Sequence, residues 1–377
     1  MIKEMILGIV LALLSVLHYY IIRDRKYFER INVKFVNPFP LLGTSWKAIF
    51  GYETYFDYYE RIYKQFPTEK FFGAFDFLKP VYVIRDVELC RKVMITNFDH
   101  FVNRRLTIDV NTDPVAGRFI GFVKNESWRK LRAITSPAFT GNKMKFIVSL
   151  LNESMQKITK NLGVKIKLSE KKCFRYNGYD FYTRCCTNLI ANTTFGLEVN
   201  AVDEENDEFY LMGKRLTDLR KDFFLRAILF QVSPTLAKVL NISLFDREAT
   251  EYLKRIAKET IDYRTKNNVK VPNFIQLFMD ADLSFEEIIP ECIAFFFGGI
   301  DSFSTLFQFI SYELALNPDV QKRLQSEIDQ IQSQLGGSSI EYESVQKLTY
   351  MDAVINETFR KNPAGAFLER VSYLPKK

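Results

Sequence analysis

The stretch that most constrains this chain runs from Ile293 to Ile310 and reads IAFFFGGIDSFSTLFQFI. It is aromatic and aliphatic almost throughout, with a single charge, Asp301, near its middle. Ser284-Phe285-Glu286-Glu287 upstream has the form of a capping box, with Leu283 and Ile288 spaced as a hydrophobic staple, and Asn317-Pro318 is the matching stop. Between these signals the spacing predicts one helix of about 48 Å, long enough to cross a whole domain. Pro290 either kinks that helix or moves its true start. Gly298, Gly299, Asp301, Ser302, Ser304 and Gln308 crowd one short region, which argues for a buried central helix over a membrane span. Two glycines at roughly 1 kcal/mol each and a carboxylate in apolar surroundings break two local rules at one place. Such a place is ordinarily functional or strained.

The bulk properties set limits on the chemistry. A hydrophobic share of 47% with 35 Phe among 377 residues is ample for a large interior. A net charge of +7 suits an anionic membrane surface or an acidic protein partner, and is too diffuse to argue for nucleic acid. With only two histidines, His18 and His100, histidine-rich zinc sites and Ser–His–acid triads are effectively excluded. Cys90, Cys173, Cys185, Cys186 and Cys292 show no Cys-x-x-Cys spacing and read as reduced thiols of a cytosol-facing protein.

In chain order, Met5 to Ile22 carries no formal charge and is followed at once by Arg23, Arg25 and Lys26. As a helix this run matches the ER hydrocarbon thickness, and the basic flank places the downstream chain in the cytosol. The competing reading is a cleaved signal peptide of a secreted helical protein, but His18 to Ile22 offers no small-residue cleavage site. Asn37-Pro38-Phe39-Pro40 with Leu41-Leu42-Gly43 forms a stiff connector. Phe71 to Phe77 and Val81 to Ile84 read as a hairpin, and Asp86 as the cap of a helix reaching about Met94. Trp128 and Arg132 share a helix face, consistent with a surface cation–π pair. Leu211 to Phe245 alternates basic and apolar residues as an amphipathic core helix does, or one that dips into lipid headgroups. A last helix over Tyr350 to Arg360 buries Met351, Val354, Ile355 and Phe359, and its Glu357 and Arg360, three apart, read alone as a surface ion pair.

The order and spacing of these signals carry more than any one of them. An N-terminal anchor, a proline hinge, Trp-x-x-x-Arg followed by SPAFT, GGIDS in a long apolar helix, then ETFR and FLERV together resemble a cytochrome P450. The type is the microsomal animal one, similar to insect xenobiotic-metabolising members. The resemblance implies a mainly α fold with a small β-sheet subdomain and an N-terminal transmembrane helix. Residues 1–26 would be the membrane anchor and basic stop, 27–45 the proline hinge, and 46–377 a partial haem-thiolate monooxygenase domain.

The family also implies roles at matching positions. Trp128, Arg132 and Arg370 match contacts to the haem propionates, and Glu357 with Arg360 the buried structural pair beneath the haem. Gly298 and Gly299 match the distal stretch that leaves room for dioxygen, and Asp301 with Ser302 its acid–alcohol proton relay. Phe297, Ala364, Gly365 and Ala366 fall along the substrate pocket. Haem is the implied cofactor, with NADPH acting through a flavoprotein reductase. A small lipophilic substrate and the endoplasmic reticulum membrane complete the implied set, and no nucleic acid is involved. Arg129 and Lys130 are candidates for docking the reductase, or a solvated face.

Two departures stand out. Serine, Ser302, holds the alcohol position usually held by threonine, and Phe303 occupies a site where a small hydroxyl residue is common. None of the five cysteines lies in the family's Phe-x-x-Gly haem-binding loop, expected well beyond Glu357. On that ground the sequence is expected to be a C-terminally incomplete form of a monooxygenase with no metal-ligating residue of its own, inactive as 377 residues. The alternative is a non-catalytic, membrane-anchored remnant that binds lipophiles or proteins without haem.

Overall fold

The computed structural model describes Ser15, Tyr19 and residues 26–173, 175–218, 221–363, 365 and 367–372. The expected membrane helix over Met5 to Ile22 lies almost wholly outside these residues. The chain forms two compact units, one made of Met1–Val102 with Gly365–Lys377 and the other of Asn103–Ala364.

The first unit is built on the expected hairpin. β1 (Phe71–Asp76) and β2 (Lys79–Ile84) pair antiparallel, with Phe72 opposite Val83 and Phe75 opposite Pro80. Helix α1 (Tyr55–Gln65) starts at a capping box in which the Asp57 amide donates to Thr54 Oγ1 at 3.1 Å and the Thr54 amide to Asp57 Oδ2 at 3.0 Å. Its buried residues Tyr58 and Ile62 pack with Phe72. The proline connector is knitted onto β1: the Val36 amide donates to the Gly73 carbonyl at 2.9 Å and the Thr44 amide to the Phe75 carbonyl at 2.8 Å. Gly73 lets the Phe28 ring approach, since a Cβ there would fall 2.6 Å from Phe28 Cζ.

The second unit is helical. Its main elements are α2 (Asn125–Thr135), α3 (Gly141–Leu168), α4 (Gly178–Ile190), α5 (Glu208–Leu216), α6 (Lys221–Val232) and α7 (Pro234–Val239). They continue with α8 (Arg247–Asn267), α9 (Phe274–Asp280), α10 (Phe285–Leu316), α11 (Pro318–Gln334) and α12 (Thr349–Lys361). The segment Leu211 to Phe245, expected as one amphipathic helix, is divided among α5, α6 and α7. Ser233-Pro234 explains the second break, because Ser233 caps a new helix and proline takes its first turn.

α10 is the axis. Ser284 N and Oγ both donate to Glu287 Oε2, at 3.0 and 2.9 Å, which fixes the start at the expected place. The helix continues through Pro290, so its start is not displaced. The Glu286 carbonyl that proline leaves without its amide belongs to an exposed residue, so water can satisfy it. Among the described residues α10 is the one helix long and apolar enough to cross a membrane, yet α4, α8, α9, α11 and α12 all pack on it. Three consecutive phenylalanines point to three neighbours. Phe295 stacks on Phe274 at 3.9 Å, Phe296 meets Phe209 at 5.5 Å, and Phe297 faces Phe223 and Phe245 at 6.4 Å. The expected burial holds for the first half of the helix, from Ile288 to Ile300, whereas Phe303, Phe307, Tyr312 and Leu316 in its second half are exposed.

Candidate active site

The two glycines at the polar break in α10 do different work. A Cβ on Gly299 would fall 2.8 Å from Ile190 Cγ1 and closer still to Cδ1, so Gly299 is what lets α4 lie against α10. A Cβ on Gly298 would meet nothing within 4 Å. Ser302 lies one turn further on and is exposed, so Gly298 and Ser302 together present an open, small-residue strip. Asp301, one residue before Ser302, is half-buried, and Tyr179 Oη of α4 donates to its Oδ1 at 3.0 Å. Burial, reinforced by the Asp301 carboxylate, pushes the Tyr179 phenol up to about 12, so it stays a donor at any physiological pH. The strip therefore offers a carboxylate of fixed direction beside a free-standing hydroxyl. Phe297 is half-buried beside Phe223 and Phe245 and forms an aromatic flank to the same stretch of helix.

The family model for cytochrome P450 matches residues 34–373. Relatives include cytochrome P450 9b2 of Drosophila melanogaster, 33% identical over 353 residues that make up 92% of this chain and 70% of the relative. Cytochrome P450 9e2 of Blattella germanica is 31% identical over 382 residues, covering 92% and 71%. Cytochrome P450 6A1 of Musca domestica is 30% identical over 370 residues, covering 94% and 71%. The chain belongs to the cytochrome P450 family. The expected mainly helical fold with a small sheet is the observed one, and these relatives are insect P450s as the motifs implied.

P450s are haem-thiolate monooxygenases, so the residues can be tested against haem. At the α10 strip the residues leave room for such a group, because Gly298 is exposed with open space where a side chain would stand and Asp301 and Ser302 lie beside it. On α2, Trp128 is half-buried and Arg132 is exposed, with no ion pair to Arg132 among the described residues, so its charge is available to an anionic group. The thiolate side does not fit these residues. Burial pushes the Cys185 and Cys186 thiols up to about 12 and Cys292 higher still, which keeps all three protonated and inert. All five cysteines are free thiols, with Cys173 exposed and Cys90 half-buried.

Glu357 and Arg360, expected as a pair, form an ion pair within α12. Arg360 Nε and Nη2 donate to the two carboxylate oxygens of Glu357 at 2.7 and 2.6 Å. The pair is exposed here, not buried as the family resemblance implied, because α12 buries Val354 and Thr358 on its other face. Phe359, expected in the apolar stripe, is exposed as well, and Thr358 takes the buried position. In the first unit, Arg370 is half-buried with Nη1 donating to the Glu369 carbonyl at 2.8 Å, and Gly365 is exposed. Ala364 and Ala366 lie outside the described residues.

Three residues of the second unit escaped the sequence reading. Tyr179 gave no signal, being 122 residues from the carboxylate it holds. Glu327 of α11 accepts the Tyr350 and Met351 amides at 2.8 and 3.0 Å and so caps α12 from outside. Glu291 was visible as a lone charge between Glu287 and Asp301 in the α10 pattern, one turn after Glu287. It is fully buried, and neither carboxylate oxygen has a hydrogen-bond partner of good geometry among the described residues.

Proposed function

We propose that this P450 serves as an endoplasmic reticulum monooxygenase of small lipophilic molecules, anchored by residues 1–26 through the hinge at 27–45, with its globular part in the cytosol. Electrons come from an NADPH-dependent flavoprotein reductase. The observation that carries this reading is the open Gly298–Ser302 strip with Asp301 held beside it by Tyr179.

Haem, held in part through Trp128 and Arg132, supplies the oxygen-activating iron when bound. The chain's own residues prepare the surroundings. Gly298 keeps side-chain atoms out of the space beside the helix. The Ser302 hydroxyl donates a proton outward from the strip and is the nearest polar neighbour in sequence to the Asp301 carboxylate, which can restore it. Tyr179 occupies one oxygen of that carboxylate and leaves the other for exchange. Phe297, with Phe223 and Phe245, excludes water on the apolar flank and suits a lipophilic substrate.

The assay supplies NADPH, the reductase and isotopically labelled dioxygen to membranes carrying the protein, and follows one labelled oxygen atom into a lipophilic probe. Label arriving from water, or product formed without the reductase, rejects monooxygenation. The second reading, a membrane-anchored protein that binds lipophiles or proteins without haem, is favoured by the buried, protonated state of Cys185, Cys186 and Cys292. A reduced carbon monoxide difference spectrum separates the two. The isolated 377-residue polypeptide is expected to give no thiolate-type band, and a normal band would establish one of these five cysteines as the ligand.

A further inference from the structure

We propose that the end of α3 and the loop between α4 and α5 form one self-complementary face, through which two copies of this chain pair about a two-fold axis. Both elements belong to the second unit.

The end of α3 is basic. Lys160 and Lys167 share an exposed helix face with Val164 and Leu168, and Lys171 and Lys172 follow in the exposed turn beyond the helix. The paired lysines of these turns are Lys157, 3.0 Å from Glu198, and Lys165, 3.1 Å from Asp203. Lys160, Lys167, Lys171 and Lys172 are in no ion pair among the described residues, and Glu170 is the one acid among them. The neighbouring loop has the opposite sign, reading Asp203-Glu204-Glu205-Asn206-Asp207-Glu208. Asp203 accepts from both Asn161 and Lys165, which brings this loop against the last turns of α3. Asp207 is used as the cap of α5, accepting the Tyr210 amide at 2.8 Å, and Glu208 lies 3.7 Å from Arg255. Glu204 and Glu205 are exposed, and neither carboxylate has a partner among the described residues.

Both halves are fixed before any partner arrives. Arg184 donates to the Ala201 carbonyl at 2.7 Å and to the Glu204 and Glu205 carbonyls at 3.1 and 3.2 Å. On the basic side the Cys173 amide donates to Ser169 Oγ at 2.9 Å and closes the turn. Little ordering is left for association to impose.

The free cations and free carboxylates therefore lie side by side without pairing within one chain. A two-fold axis between neighbouring patches of opposite sign lays each on the opposite patch of the second copy, so every contact is made twice. One exposed ion pair contributes little, and it is the doubled set that gives the face its complementarity. Val164 and Leu168, 49% and 80% exposed, add apolar surface to it. The acidic half repels a nucleic acid or an anionic bilayer, which leaves a surface carrying both signs as the fitting partner, and this chain has one. The pairing uses no residue of the Gly298–Ser302 strip and holds whether or not the chain binds haem.

The test is sedimentation equilibrium of the 377-residue chain in density-matched detergent. The chain should dimerise at about 0.05 M salt, and about 0.5 M salt should weaken the dimer about tenfold or more. The triple variant Lys167→Glu, Lys171→Glu, Lys172→Glu reverses the free charges of the basic half, and the double variant Glu204→Lys, Glu205→Lys those of the acidic half. All five side chains are exposed, so the fold does not depend on them. Each variant alone should be monomeric, and the two mixed in equal amounts should dimerise, because each altered patch then meets its opposite. The salt comparison uses the unaltered chain and stands even if a variant folds poorly. A chain that is monomeric at low salt, a dimer indifferent to salt, a dimer in either variant alone, or a mixture of folded variants that stays monomeric overturns the proposal.

Discussion

Tyr179 Oη donates to Asp301 Oδ1 at 3.0 Å, tying the first turn of α4 to the polar break of α10. The bond gives the Asp301 carboxylate a fixed direction, and it leaves a mark on the phenol. Burial first, and the Asp301 charge second, raise Tyr179 to about 12. Asp301→Asn removes only the second cause, so Tyr179 should titrate lower but still above its usual value. Carbon NMR of labelled tyrosine, with Tyr179→Phe to assign the resonance, reads this directly. An unmoved titration would mean that the Asp301 charge does not face the phenol.

Gly298 and Gly299 are adjacent in sequence and should respond in opposite directions to the same change. Gly298→Ala adds a methyl in open space within a helix and should stabilise by up to about 1 kcal/mol. Gly299→Ala drives a methyl into Ile190 and should cost about 1–3 kcal/mol. The atom nearest that methyl is Ile190 Cδ1, which Ile190→Val removes, so the double variant should recover part of the loss. Denaturant midpoints decide, and an equal cost at both glycines would sink the distinction.

These two cases show what the sequence could and could not carry. The extent of α10 was legible because its signals are local: a capping box, an unbroken apolar run and Asn317-Pro318. The hairpin and the Asp86 cap were local too, with Asp86 Oδ1 accepting the Leu89 amide at 2.9 Å. That Gly298 and Gly299 serve different neighbours was not legible, because the difference is made by Ile190, more than a hundred residues away. The exposure of Glu357 and Arg360 was legible from spacing, which gave a surface pair, and was displaced by the family expectation of burial. Tyr179 could not have been found at all, since a tyrosine near a helix start has no pattern that names its partner.

Glu327 offers a test of how α12 is held. Its carboxyl is kept below the usual range first by the Tyr350 amide, with Met351 and Thr349 adding to the effect. A depressed carboxylate stabilises above its unfolded value, and that contribution is lost as pH falls through the folded one. Glu327→Gln should therefore lower hydrogen-exchange protection at Tyr350 and Met351 at neutral pH, and acid should do the same to the parent chain. Unchanged protection in both would show that α12 is capped by other means.

Glu291 should give the second unit an unusual pH dependence. Burial pushes its carboxyl up from 4.5 to about 8, against a smaller opposing pull from the Ile120 amide. Between those two values the folded chain holds a proton that the unfolded chain releases. Stability contributed by the protonated form is thus present in acid, declines as pH rises through the window, and is flat above it. Glu291→Gln keeps the size and removes the titration. The variant and parent should have similar stability near about pH 5, and the variant should be more stable by about 1–3 kcal/mol near about pH 9. Urea unfolding at the two pH values measures the difference. Parallel pH profiles for parent and variant would mean that Glu291 is hydrated and ionised in the folded protein, and that the middle of α10 is wetter than its phenylalanines imply.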